Sequence, residues 1–139
     1  MTSTDRCLPR SDDMNTRLHA MVPGGAHTYA KGDDQFPEGL APVISHGRGS
    51  HVWDVDGNEY IEYGSALRSV SLGHAHPRVL EAVRRELDRG ANFVRPSVVE
   101  VEAAQRFLET VPTADMVKFT KNGSDVTTCL LYTSPSPRD

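Results

Sequence analysis

Between Ser97 and Asp125 the sequence passes through four patterns whose order is typical of one fold class. Ser97 and Glu100 form a capping-box pattern, and an apolar stripe follows until Pro112 ends the helix. A short apolar run at Met116–Thr120 predicts a buried strand, and a glycine turn then leads into a helix that begins at Asp125. This order predicts the opening of an open α/β sheet, where ligands commonly bind beyond the carboxyl ends of the strands.

A second pattern, between residues 42 and 63, predicts a small antiparallel meander. Three short segments have strand-like composition: Val43–His46, His51–Asp54 and Glu59–Tyr63. Asp56–Gly57 lies between the last two, and an Asp-Gly pair is a strong signal for a tight turn.

Two further helices are predicted outside these regions. Met14 to Val22 has apolar residues at helical spacing, with Asp12 or Asp13 as the N-cap. Pro77 suits the first turn of a second helix, and Gly90 suits a left-handed termination. We therefore expect four regions: a disordered leader at 1–13 without a specific role, a helix and meander at 14–70, the start of a large α/β domain at 71–128, and a tail at 129–139.

Composition restricts the class of protein. The chain has 139 residues, 37% hydrophobic and 24% charged, with a net charge of −4 and a pI near 5.8. This balance indicates a globular protein and argues against a nucleic-acid partner, which requires clustered positive charge. The sequence has no apolar run long enough to span a membrane and no signal peptide, and Cys7 and Cys129 suggest no disulfide framework. We expect a cytoplasmic protein.

The tail at 129–139, CLLYTSPSPRD, departs from the pattern before it. A helix that has just begun meets Pro135 and Pro137 within a few residues. The eleven residues also translate a transposase-adapter sequence used in preparing sequencing libraries. We expect this segment not to be native, although a natural Ser/Pro-rich tail is the commoner kind of terminus.

The turn FTKNGSD at 119–125 is a candidate anion site. It places Gly123 and Ser124 between a predicted strand and a helix start, where free backbone N–H groups and the helix dipole favour a phosphate. Gly123 lets the main chain approach the phosphate oxygens, and Ser124 can donate from its N–H and its hydroxyl. Taken alone, the motif is more often a plain turn that caps a helix.

Four ordered blocks resemble the class-III aminotransferases that depend on pyridoxal phosphate (PLP), and within them the glutamate-1-semialdehyde aminomutase-like branch. The blocks are PGG at 23–25, GRGSHVWDVDGNEYIEY at 47–63, LGHAHPRVLEAV at 72–83 and KNGSD at 121–125. The resemblance implies the N-terminal portion of PLP fold type I, truncated before its end. It also implies a homodimer with active sites at the subunit interface, PLP as the cofactor, and an amine or amino acid as the substrate.

The resemblance also assigns individual residues. Gly123 and Ser124 match the pair that holds the cofactor phosphate, and Asn122 stands where aminomutases usually have Ser. Lys31 replaces the Arg that recognises the substrate carboxylate, and Leu67 replaces an aromatic residue beside the cofactor. Since Lys lacks the two-pronged hydrogen bonding of Arg, these departures argue against glutamate semialdehyde itself as the substrate.

No catalytic residue is assigned in this chain. In the family the lysine that bonds to PLP lies further along the sequence, and Lys31, Lys118 and Lys121 do not match its motif. We therefore expect an inactive fragment of a transaminase or aminomutase. A racemase or epimerase of the same family stays open, as does a stand-alone phosphate-binding or interaction module.

Two other groupings have simpler interpretations than a metal site. His74 and His76 form an H-x-H pair without a third ligand at suitable spacing, so a loop-stabilising or capping role is favoured. The acidic residues around Trp53 lack the terminal glutamate of a calcium loop, so a tight turn with a packed indole is favoured. We expect no metal.

Overall fold

A computed structural model describes residues 7–133 of the chain, without the side chains of the last two. The chain divides into two compact units, one ending at Arg89 and the other beginning at Gly90. Residues 1–6 of the predicted leader and residues 134–139 of the predicted tail lie outside the described residues.

The first unit opens with helix α1, Pro9–Met21. Single 3₁₀ turns follow at Pro23–Gly25, Tyr29–Lys31 and Asp33–Gln35. Proline is well suited to the first turn of a helix, because its missing N–H would have no partner there.

The predicted start of α1 was wrong by several residues. The helix begins before Asp12, and the N-cap position is Leu8, whose side chain makes no cap hydrogen bond. Two residues of the predicted leader are among the most buried of the described chain, with Leu8 3% and Ser11 0% exposed. Their anchor is Asp56, whose carboxylate accepts hydrogen bonds from the backbone amides of Arg10 and Ser11, both at 2.9 Å.

The predicted meander is confirmed as a three-stranded antiparallel sheet in the order β1-β2-β3. The strands are β1, Ile44–Arg48, β2, His51–Asp54, and β3, Glu59–Ile61. The register shifts between Ile44 and His46, which is a bulge in β1. Gly57 has φ of 92°, so the turn between β2 and β3 uses the backbone freedom of glycine as predicted.

The first unit ends with helix α2, Pro77–Arg89, as predicted. Gly90 follows with φ of 99°, which is the left-handed termination that the sequence indicated. The apolar stripe of α2 faces outward in part, since Val83 is 49% and Leu87 63% exposed.

The second unit contains helix α3, Val98–Thr110, and helix α4, Gly123–Thr133. The capping-box prediction is confirmed, because the Glu100 carboxylate accepts a hydrogen bond from the Ser97 amide at 2.8 Å. Between the helices, Phe119 packs edge to face on Phe107, with 6.3 Å between ring centroids.

The predicted buried strand Met116–Thr120 is not formed. The segment has no strand assignment, and Met116 is 88% exposed. A strand is stable only beside a partner, and within residues 7–133 the sheet consists of β1, β2 and β3 alone. No helix of the described residues is both long and apolar enough to cross a bilayer.

Candidate functional site

The predicted phosphate turn lies at the first turn of α4. The Asn122 side-chain oxygen accepts a hydrogen bond from the Asp125 amide at 2.9 Å, so Asn122 is the N-cap of the helix. The helix therefore begins at Gly123, two residues before the predicted start. The side-chain oxygen of Asn122 is therefore already bonded within its own helix.

The backbone around Gly123 is open toward a ligand. A Cβ at Gly123 would meet no atom within 4 Å, and Gly123 does not have a positive φ. Among the described residues, no hydrogen bond uses the backbone amides of Gly123 or Ser124. Two free N–H groups at the positive end of a helix dipole suit an anion such as a phosphate.

The predicted substrate residues lie in the first unit. Lys31 is an exposed residue at the end of a 3₁₀ turn, and Leu67 is 53% exposed in a turn that follows β3. Leu67 is linked to Glu62, because the Glu62 carboxylate accepts a hydrogen bond from the Ala66 amide of the same turn. The pKa of Glu62 is lowered chiefly by its hydrogen bond with His74 and to the smallest extent by the charge of Lys31.

Glu62 is paired with His74, and sequence reasoning did not identify this pair. Glu62 Oε2 contacts His74 Nε2, with side chains 29% and 24% exposed respectively. The hydrogen bond from His74 is the main cause that lowers the pKa of Glu62, against burial, which raises it. The sequence indicated a loop-stabilising role for His74, which this contact bears out, but nothing local identified Glu62 as its partner.

A cavity of about 290 Å³ lies beside this pair. Its lining is mixed, with Ser50, Ser65 and Ser71 next to Glu62 and His74. Serine side chains can form hydrogen bonds with a small polar group, whereas both Glu62 oxygens already have partners.

Of the acidic residues around Trp53, Asp54 bonds within the turn, as the simpler interpretation predicted, whereas Asp56 bonds to α1. The Asp54 carboxylate accepts hydrogen bonds from the Asn58 amide at 2.7 Å and from Tyr60 Oη at 2.7 Å. The Trp53 ring stacks on His46, with 4.8 Å between centroids and 6° between planes.

Comparisons of the sequence and of the structure both find similar known proteins. The sequence profile described as Aminotransferase class-III matches residues 29–129. Among curated proteins, glutamate-1-semialdehyde 2,1-aminomutase from Chloroflexus aggregans is 33% identical over 128 residues, covering 91% of this chain and 29% of the relative. The Thermus thermophilus aminomutase is 38% identical over 106 residues, covering 76% of this chain and 25% of the relative.

Solved structures show the same relationship. An ω-transaminase from Sphaerobacter thermophilus superposes with a TM-score of 0.78 at 28% identity, covering 88% of this chain and 27% of that one. A transaminase with PLP bound superposes with a TM-score of 0.79 at 28% identity, again over 88% of this chain and 28% of that one. The fold is thus that of an α/β portion of PLP fold-type I transaminases.

The chain spans between a quarter and a third of the length of these curated relatives. The family match nonetheless covers more than two thirds of the chain, from the 3₁₀ turn at Tyr29 into α4. The chain belongs to the class-III aminotransferase family.

Proposed function

We propose that this chain is the N-terminal portion of a PLP-dependent aminotransferase or aminomutase. The family match over residues 29–129 carries the proposal. In the proposed domain arrangement, 14–70 form the N-terminal segment and 71–128 the start of the PLP-binding domain. The tail at 129–139 is proposed to be non-native.

PLP is the proposed cofactor, and its phosphate is held at the start of α4. The free amides of Gly123 and Ser124, the Ser124 hydroxyl and the open space beside Gly123 support this assignment. Asn122 contributes mainly by capping the helix, because its side-chain oxygen is bonded to the Asp125 amide. PLP, once bound, supplies an electron sink for carbanion chemistry at the substrate.

The proposed substrate is a small amine or amino acid that contacts Lys31 and Leu67. The ammonium group of Lys31 attracts a carboxylate as a point charge, without the planar fork of an arginine. Leu67 presents an aliphatic surface that is 53% exposed. Both features favour a substrate other than glutamate semialdehyde.

Two further proposals, on the lysine that bonds to PLP and on the homodimer, concern the complete protein. We place the lysine that bonds to PLP outside these 139 residues, because Lys31, Lys118 and Lys121 do not match its motif. The complete protein is proposed to be a cytoplasmic homodimer, and a racemase or epimerase activity stays within the proposal.

The test compares the complete reading frame with the 139-residue chain. We expect the complete protein to bind PLP stoichiometrically and to transfer amino groups between amines and keto or aldehyde acceptors. The short chain mixed with PLP and treated with borohydride is expected to give scattered surface adducts only. A stoichiometric adduct at one specific lysine of the short chain would refute the placement of the lysine and favour a stand-alone binding module.

A further inference from the structure

Ser65–Arg68 form a turn with a backbone that L residues rarely adopt in succession. Their φ values are 44°, 49°, 58° and 72°. The left-handed region is normally visited by single residues, because Cβ approaches the following carbonyl oxygen there. A run of four such residues persists only where the surroundings hold it, and strain of this kind is commonly found at functional sites.

Four local hydrogen bonds close the turn. The Arg68 amide donates to the Gly64 carbonyl at 2.9 Å, and the Val70 amide donates to the Ser65 carbonyl at 3.0 Å. The amide and the hydroxyl of Ser69 both donate to the Ala66 carbonyl, at 3.4 and 2.6 Å. The bond that ties the turn to the sheet comes from outside it, since the Ala66 amide donates to Glu62 Oε1 at 3.1 Å. The carboxylate of Glu62 is therefore the external anchor of the turn.

Glu62 is fixed at both its backbone and its side chain. Its amide donates to the Ser50 carbonyl at 2.8 Å, which continues the pairing of β3 with β2. Its second carboxylate oxygen contacts His74, so the two oxygens hold different partners. The lowered pKa of Glu62 keeps this carboxylate charged and able to accept both hydrogen bonds.

His74 is in turn held rigidly against the sheet. Its backbone exchanges two hydrogen bonds with Gly49, at 2.9 and 2.8 Å. A Cβ at Gly47 would lie 2.7 Å from the His74 ring, and a Cβ at Gly73 would lie 2.9 Å from Gly49 Cα. The Gly47 approach leaves no room for a Cβ, so the His74 ring packs directly on the backbone of β1, and the Gly73 approach brings the neighbouring backbone against Gly49.

We propose that His74 and Glu62 are positioning residues that hold the left-handed turn Ser65–Arg68 and so determine which substrates fit beside Leu67. The effect on substrate choice rests on the proposed function, which assigns Leu67 to the substrate site. The stabilisation of the turn rests only on the contacts of Glu62 and His74.

Hydrogen exchange tests whether His74 and Glu62 stabilise the turn, and it needs no assay of activity. In the complete protein, His74→Ala and Glu62→Ala, each of which removes one side of the contact, are expected to speed amide exchange in a peptide covering residues 62–70 by about tenfold or more. His74→Gln, which retains a donor at the end of the side chain, is expected to restore part of the protection. The matched control is His51→Ala, which removes another imidazole–carboxylate contact of the same sheet, 2.7 Å from Glu59.

Stabilisation of the turn by His74 and Glu62 is refuted if amide exchange in this peptide is unchanged, or if His51→Ala changes the exchange equally. Either result would mean that the turn is held by its own backbone or by the sheet as a whole.

A double-mutant cycle tests the effect on substrates. For the complete enzyme we expect His74→Ala to change the ratio of kcat/KM for a bulky and a small amino donor by roughly tenfold, with PLP affinity retained. Combining His74→Ala with Leu67→Ala should add little beyond Leu67→Ala alone, because the two act through one contact surface. Additive effects, or a parallel loss of PLP affinity, would reduce His74 to a general structural role.

The two experiments separate this proposal from the proposed function. A complete wild-type protein that binds no PLP would refute the function and with it the effect on substrates. The hydrogen-exchange result would still establish or refute that His74 and Glu62 stabilise the turn.

Discussion

Asp56 illustrates how one side chain joins parts of the first unit that are far apart in sequence. Its carboxylate accepts three hydrogen bonds from the first turn of α1, two from backbone amides and one from Ser11 Oγ at 2.7 Å. Ser11 Oγ also accepts a hydrogen bond from the Val43 amide at 3.1 Å. The helix is thus capped by a carboxylate 45 residues away from Ser11, and for this reason the predicted local cap at Asp12 or Asp13 was wrong.

Replacement of Ser11 by alanine should loosen the contact between α1 and the sheet. The change removes one hydrogen bond to Asp56 and leaves the Val43 amide without its acceptor, at a cost of about 1 to 3 kcal/mol. Hydrogen exchange of the peptides that contain α1 and residue 43, in the complete protein, measures this loss. Thr16→Ala, which removes an exposed hydroxyl bonded to the Asp12 carbonyl of the same helix, is the control. Equal protection in both variants would contradict the role of Ser11.

Gly123 is the position where a side chain should interfere most with the proposed phosphate site. Since a Cβ there meets no protein atom within 4 Å, Gly123→Val should be accommodated by the protein itself and should instead occupy the space of the phosphate. We expect PLP affinity of the complete enzyme to fall by roughly tenfold to a hundredfold, the usual range for a lost anion contact of 1.4 to 2.8 kcal/mol.

Thr128→Val provides the matched control for Gly123→Val, because it places the same side chain on an exposed position of α4. Equilibrium titration with PLP, followed by the visible absorbance of the bound cofactor, gives both affinities. Equal losses would mean that the phosphate is held elsewhere.

The sequence predicted those helices and strands that are marked by residues within or beside them. The meander followed from short strand-like segments and an Asp-Gly turn, and α2 followed from Pro77 and Gly90 at its ends. The segment Met116–Thr120 was predicted wrongly because a strand depends on a neighbour, and the described residues provide none for it. The left-handed turn at Ser65–Arg68 had no sequence signal at all, since it contains no glycine or asparagine.

The β2–β3 turn should lose stability in acid through Asp54. Burial raises the pKa of Asp54, but hydrogen bonds from Asn58, Tyr60 and backbone amides outweigh it, so the pKa lies below the ordinary 3.8. A group with a lowered folded-state pKa stabilises fully above its ordinary pKa and loses that contribution as the pH falls through the folded value. Protection of the hairpin should therefore decline only below the ordinary range of aspartate.

Hydrogen exchange of the complete protein at a series of acid pH values, with each rate divided by the intrinsic exchange rate at that pH, follows this decline. Asp54→Asn should lower protection of the β2–β3 hairpin at neutral pH and flatten its dependence on pH. A variant that keeps the wild-type acid profile would show that other carboxyls, such as Asp56 and Glu62, govern the transition.

At the scale of the whole molecule, the chain carries more apolar surface than its own elements cover. Leu8, Ala41 and Val52 are the buried hydrophobic residues of the described chain. By contrast, Val94 is 100% and Met116 is 88% exposed. This exposure is consistent with the proposal that the chain is one portion of a larger enzyme.

We expect the isolated 139-residue chain to associate in solution and to lack cooperative unfolding. The outward side of α2 and the extended segment Met116–Thr120 expose apolar side chains together with unpaired backbone groups, and both promote intermolecular contact. Size-exclusion chromatography over a range of concentrations and hydrogen exchange of the purified chain provide the measurements, with the complete protein as the reference. The chain should elute as concentration-dependent oligomers, and residues 80–120 should exchange faster than in the complete protein. A monomer with a single cooperative transition and strong protection through residues 80–120 would show instead that this stretch folds autonomously, and would favour a stand-alone binding module.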